Sequence, residues 1–145
     1  MDIKTKIMEV LSRGYLMSLA TQDEGGVWVA DVIYIYDEDL NIYWMSYPDV
    51  RHSQAIEKNG QAAGTITVTS YGEKPELGIQ FSGKAEKLDT LSYDLVVKYC
   101  AKNGDPAPEE DKDVLEGHSW YVLRPNKIDL LDTENYGWDK KNYII

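Results

Sequence analysis

Residues 27–66 read VWVADVIYIYDEDLNIYWMSYPDVRHSQAIEKNGQAAGTI. Most of the first ten residues are β-branched or aromatic, which predicts a strand over 27–36. DEDL, 37–40, is tight-turn chemistry, and NIYWMS, 41–46, is the returning strand. There Ile42, Trp44 and Ser46 share one face, while Tyr43 and Met45 share the other. Pro48 and Asp49 then mark a helix start, Asn59-Gly60 marks its end, and QAAGTITVTS, 61–70, is a strand again.

Outward from this block the pattern continues. Residues 2–13 predict an amphipathic helix with Ile3, Ile7, Val10 and Leu11 on one face, capped by Asp2 and ended by Gly14. YLMSLAT, 15–21, is a strand, and QDEGG, 22–26, a turn, so two successive hairpins predict a meander. YGEKPELG, 71–78, reads as a polar loop, IQFSGKAEKL, 79–88, as a strand, and 89–104 as a second amphipathic helix. The acidic, proline-containing stretch 105–117 reads as a solvated connector, with a short turn of helix or a flap over a ligand cleft as the alternatives. Residues 118–132 predict two strands around an RPN turn, before an aromatic and basic C-terminal segment, 133–145. Strands without βαβ alternation exclude Rossmann and TIM architectures, and six or seven of them close on themselves to hide their edges. A single domain over 1–145 is expected.

Composition narrows the function. The chain has 145 residues and a formal charge of -10, which disfavours nucleic acid or an anionic membrane as partner. One cysteine rules out an internal disulfide and suits a reducing compartment. The N-terminus has no uninterrupted apolar region and no stretch reaches the roughly 20 residues of a membrane span, so a cytoplasmic protein is expected. Neither GxGxxG nor GxxxxGK[ST] occurs, and two histidines and one cysteine offer no zinc spacing, so no metal is expected. Tyr 11 and Trp 4 against Phe 1 suit a planar ligand or a subunit interface as well as plain strand propensity.

SYPDVRHSQ, 46–54, is the informative segment. Only three arginines exist, Arg13, Arg51 and Arg124, and Arg51 and His52 fall in a helix first turn beside Ser46 and Ser53. First-turn N–H groups lack intrahelical partners and carry partial positive charge. A guanidinium, an imidazole and hydroxyls added there make a phosphate site. An ordinary capped helix, with Arg51 solvated or paired to a carboxylate, is the alternative on these residues alone.

YLMSLATQDEGG and the block that follows it resemble the flavin-binding split-barrel proteins of the pyridoxamine 5′-phosphate oxidase type. Ser46, Arg51-His52, Asn59 and Ala62-Ala63 match the order of that superfamily's elements, as do GIQFSGKAEKL and the tail WYVLRPNKIDLLDTENYGWDKK. The resemblance implies a mainly β fold, a six-stranded antiparallel split barrel with Greek-key character, forming a homodimer with FMN in each cleft between subunits. By position, Arg51, His52 and Ser53 would hold the FMN phosphate. Met45 and Ser46 would lie along the ribityl chain and ring edge, and Ala30, Asp31 and Val32 beside the isoalloxazine. Gln80 would approach from its own strand, with Trp138 and Lys140 near the flavin, contributed by either subunit. Arg51-His52 replaces the oxidase's Arg-Lys pair, and an early strand arginine is replaced at or near Ala30. The expected function is therefore an FMN-dependent oxidoreductase whose substrate is not pyridoxamine phosphate, its partner a small-molecule substrate or an electron donor such as NAD(P)H, with the donor itself left open. The alternative is a module that stores or shields flavin or a related planar cofactor. No catalytic residue is assigned.

Overall fold

A computed structural model describes residues 2–69, 72 and 75–145. Among them the chain runs α1 (Ile3–Arg13), β1 (Leu16–Asp23), β2 (Gly26–Ile33), β3 (Ile35–Tyr36), β4 (Ile42–Ser46), α2 (Arg51–Asn59), β5 (Gln61–Thr67), β6 (Leu77–Leu88), α3 (Tyr93–Lys102), β7 (Ser119–Asp132), α4 (Thr133–Tyr136) and β8 (Lys141–Ile144). The strands form one antiparallel sheet in the order β2-β1-β5-β6-β7-β4-β3. The 14-residue β7 is long enough to carry β4 at one end and β8 at the other, on the same side. The expected end of a strand at Ser70, and Tyr71, Glu73 and Lys74 of the expected polar loop, lie outside the described residues.

The sheet curls into a mainly β half-barrel around one large core, as expected. Met17, Leu19, Ile66, Ile79, Leu123 and Leu130 point inward, and Trp44 stacks on Tyr121 at 5.9 Å between ring centroids. Helix α1 plugs this core with Ile7, Val10 and Leu11, the face its 3.6-residue periodicity predicts. Asp2 caps it by accepting from the Thr5 N–H at 2.7 Å. On the outer face a second cluster forms under α3, where Tyr43, Trp120 and Val122 meet Tyr99.

Two expectations are overturned. The strand expected over 27–36 is two strands, and the meander is absent: β2 is one edge of the sheet and β3 lies at the other. The break falls at Tyr34. Its ring is fully buried, its hydroxyl donates to the Leu11 carbonyl at 2.8 Å, and its own carbonyl accepts from Lys102 instead of from a ladder partner. Its hydroxyl needs the close approach of Gly14, where a Cβ would sit 2.4 Å away. The RPN turn is also absent, because β7 runs through it. The register shifts there, Ser82 facing Lys127 and Gly83 facing Pro125, so Asn126 is the extra residue of a bulge. A bulge tolerates a proline that has no N–H to donate. The count of eight strands among the described residues exceeds six because β3 and β8 are short additions at the rim.

Among the described residues no helix is long and apolar enough to cross a membrane, and no three metal-ligating side chains gather.

Candidate functional site

The strand-to-helix corner is built from β4, the turn 47–50 and α2. Ser46 ends β4 on its inward face. Val50 stands at the N-cap position and, having no polar side chain, leaves the first turn of α2 without a side-chain cap. The helix stops at Gly60, whose φ of 69° gives the left-handed turn a side chain would resist. Asn59 fixes the far end of α2 to β1 by donating to the Gln22 carbonyl at 2.8 Å.

Arg51 and His52 are adjacent on the helix and turn opposite ways. Arg51 leaves the barrel and meets Asp23 at the end of β1. Its Nε donates to Oδ2 at 2.9 Å and its Nη2 to Oδ1 at 3.1 Å, a two-pronged pair. Its guanidinium also lies over the Trp28 ring, 4.6 Å from the centroid. Hydrogen bonding to Arg51 holds the Asp23 carboxyl below its usual range, and Asp23 in turn raises the guanidinium. A cavity of about 350 Å³ opens beside the pair, lined also by Glu24, Gln54 and Lys58.

His52 points inward. Its Nε2 lies 2.9 Å from the Ser46 Oγ, and burial pushes its pKa below the ordinary histidine value. It is therefore neutral near pH 7 and adds no charge to the corner. Ser53 is fully buried, and its Oγ has no hydrogen-bond partner among the described residues. The corner thus offers uncapped backbone donors, one unpartnered hydroxyl and one guanidinium already held by a carboxylate. These groups suit an oxyanion, on condition that Asp23 yields Arg51.

The other expected site residues are distributed. On β2 the side chains alternate: Val32 enters the core, Ala30 is half-buried, and Asp31 is exposed on the outer face, accepting from the Ser18 hydroxyl at 2.7 Å. Gln80 lies on the same outer face, across β1 and β5 by the pairings Asp31–Ser18, Ser18–Thr65 and Thr65–Gln80. Lys140 joins it by donating to Oε1 at 3.0 Å, so these two meet within one chain. The neighbouring row is Val29, Ala20, Ala63 and Ser82, which keeps this face flat. Trp138 stands 69% exposed beyond α4. Met45 goes elsewhere: it packs under α3 and lines a cavity of about 900 Å³ with Tyr99, Cys100 and His118, walled by the 105–117 stretch. Met45 and Ser46 therefore do not share a site, because alternation sends them to opposite faces of β4.

Asp23, Gly25 and Trp28 were absent from the sequence-derived site. The signal was present in QDEGG, where Asp23 Oδ1 also accepts from the Gly25 N–H at 2.8 Å. Turn carboxylates read as solvated surface by default.

Comparison with known proteins supplies the relatives. No family model matches the chain. A UPF0306 protein YhbP of Escherichia coli O157:H7 is 25% identical over 142 residues, covering 97% of this chain and 92% of that one. Among solved structures, a conserved hypothetical protein, Rv2991, of Mycobacterium tuberculosis superposes with a TM-score of 0.79 at 14% identity, over 96% and 89% of the two chains. The Listeria innocua protein named "putative pyridoxamine 5′-phosphate oxidase" gives 0.70 at 15% identity, over 90% and 98%. HutZ, a heme storage protein of Vibrio cholerae, gives 0.64 at 14%, over 99% and 95%. These likenesses establish the split-barrel fold of the pyridoxamine 5′-phosphate oxidase type. The UPF0306 protein plu4501 of Photorhabdus laumondii is 31% identical over 98 residues, 66% of this chain and 68% of its own length, and with it the chain belongs to the UPF0306 family.

Proposed function

We propose that this protein binds FMN as a split-barrel flavoprotein, with the phosphate at the α2 corner and the ring system along the flat outer face of β2, β1, β5 and β6. The observation that carries the reading is the uncapped first turn of α2 together with the buried, unpartnered Ser53 hydroxyl. Backbone donors without acceptors and the positive end of a helix dipole stabilise an anion. Arg51 adds a charge-assisted fork. Gln80 and Lys140 present an acceptor and a cation on the face where the ring would lie. That face also exposes Leu16, Val27 and Val29, which a second copy would cover in a homodimer.

Bound FMN would supply hydride and electron chemistry that no side chain here supplies. The residues of the chain bind and orient. His52, neutral and engaged with Ser46, holds the strand-to-helix corner. An oxidoreductase fed by a nicotinamide donor is the reading we favour. A storage module is the second, and the likeness to HutZ, a heme storage protein, supports keeping it.

Titration of the purified protein with FMN and riboflavin tests the binding. FMN is expected to bind more tightly than riboflavin, and Arg51→Ala to weaken FMN about ten-fold while leaving riboflavin unchanged. Equal affinity for the two flavins, or no effect of Arg51→Ala in a folded variant, rejects the phosphate site. Reduction of the bound flavin by NADH or NADPH in stopped flow then separates enzyme from store.

A further inference from the structure

The Arg51 fork faces a carboxylate of its own chain. We propose that Asp23 is a built-in competitor for the anion site, a latch that occupies Arg51 until a phosphate dianion displaces it. This rests on the FMN reading of the corner.

Five features make the exchange possible. The pair sits at the rim, with side-chain exposure of 37% for Arg51 and 18% for Asp23, so water and a dissolved anion reach the guanidinium. Asp23 does not lose every partner when Arg51 leaves, because its Oδ1 keeps the Gly25 N–H at 2.8 Å. Arg51 does not swing free either. Its guanidinium lies over the Trp28 ring, 4.6 Å from the centroid, a contact that does not involve Asp23 and can stay when the fork trades one oxyanion for another. Glu24 and Lys58 line the same cavity and offset each other in charge, which leaves Asp23 as the carboxylate that decides the contest. Gly25 completes the latch. A Cβ there would stand 3.0 Å from Arg51 Nη2 and 3.2 Å from Asp23 Oδ1, so the turn carries no side chain where the fork must move.

The consequence is a sign. An aspartate that merely positions Arg51 for cofactor would, when neutralised, weaken FMN binding. A competitor, when neutralised, strengthens it. The test uses the full chain, its Asp23→Asn variant, and both flavins. Asp23→Asn is expected to bind FMN about five- to ten-fold more tightly and riboflavin unchanged, since a screened pair and one close like-charge repulsion are removed together. Unchanged or weaker FMN binding by folded Asp23→Asn overturns the latch. If wild type still prefers FMN and Arg51→Ala still weakens FMN but not riboflavin, the phosphate site survives that failure. If neither protein distinguishes FMN from riboflavin, site and latch fall together. A second measurement needs no variant. The Asp23 carboxyl titration, followed by carbon NMR, is expected to move up toward the ordinary aspartate value when FMN takes Arg51 away. No movement on saturation overturns the latch even where Asp23→Asn fails to fold.

Discussion

His52 Nε2 lies 2.9 Å from Ser46 Oγ, joining the last residue of β4 to the first turn of α2 inside the protein. The bond closes the strand-to-helix corner. It also ties stability to pH, because the imidazole is buried and its pKa lies below the ordinary value.

The sign follows from linkage. Unfolded histidine titrates near pH ~6.5, and the folded group only at lower pH. Between those values the unfolded state binds more protons, so unfolding free energy rises with pH across the window. The His52 contribution is fully present above the unfolded value and is lost as pH falls through the window. Urea denaturation at pH 7.5 and 5.5 checks this against His52→Gln. The variant is expected to be less stable at pH 7.5 and to lose part of the pH dependence. An unaltered difference between the two pH values would show that His52 is not the group responsible.

Tyr34 and Tyr121 are a matched pair for a second prediction. Both are fully buried. The Tyr34 hydroxyl donates to the Leu11 carbonyl at 2.8 Å, whereas the Tyr121 hydroxyl has no hydrogen-bond partner among the described residues. Removing a satisfied hydroxyl strands its acceptor; removing an unsatisfied one strands nothing. Tyr34→Phe is therefore expected to cost about 1 kcal/mol or more, and Tyr121→Phe to leave stability unchanged or raise it by up to about 1 kcal/mol. The Trp44 stack is kept in the latter, as it needs only the ring. A loss on Tyr121→Phe equal to that on Tyr34→Phe would refute the distinction.

Local chemistry was legible in the sequence wherever it acted over a few residues. Asp2 capping α1, Gly60 ending α2 and the alternation that separates Trp44 from Met45 are all of that kind. What escaped depends on partners far away in the chain. The period-2 pattern runs on from Ile33 into Ile35 while the hydrogen-bonding partner changes from β1 to β4, and pattern alone carries no record of the partner. Pro125 reads as a turn because its usual place is a turn; only the facing Gly83 makes a bulge there. Asp23 lies 28 residues from Arg51, so their pairing is a property of the hairpin meeting the helix. Of the two readings open on the residues, the structure shows Arg51 paired to a carboxylate.

Two glycines differ in what an added side chain would meet, and they give the last prediction. At Gly83 a Cβ would fall 2.1 Å from the Arg124 carbonyl oxygen and 2.8 Å from the Pro125 Cα. Those atoms are backbone in the β6–β7 ladder, and relief requires the bulge to open. Gly83→Ala is expected to destabilise by about 2 kcal/mol or more, the scale of an overpacked core. At Gly25 the nearest atoms are the ends of the Arg51 and Asp23 side chains, which can move. Gly25→Ala is therefore expected to cost less than about 1 kcal/mol, as most surface substitutions do. Thermal or urea unfolding of the two variants side by side reads the difference. Its reversal would mean that the β6–β7 bulge yields easily and that the Arg51 corner is the stiffer of the two places.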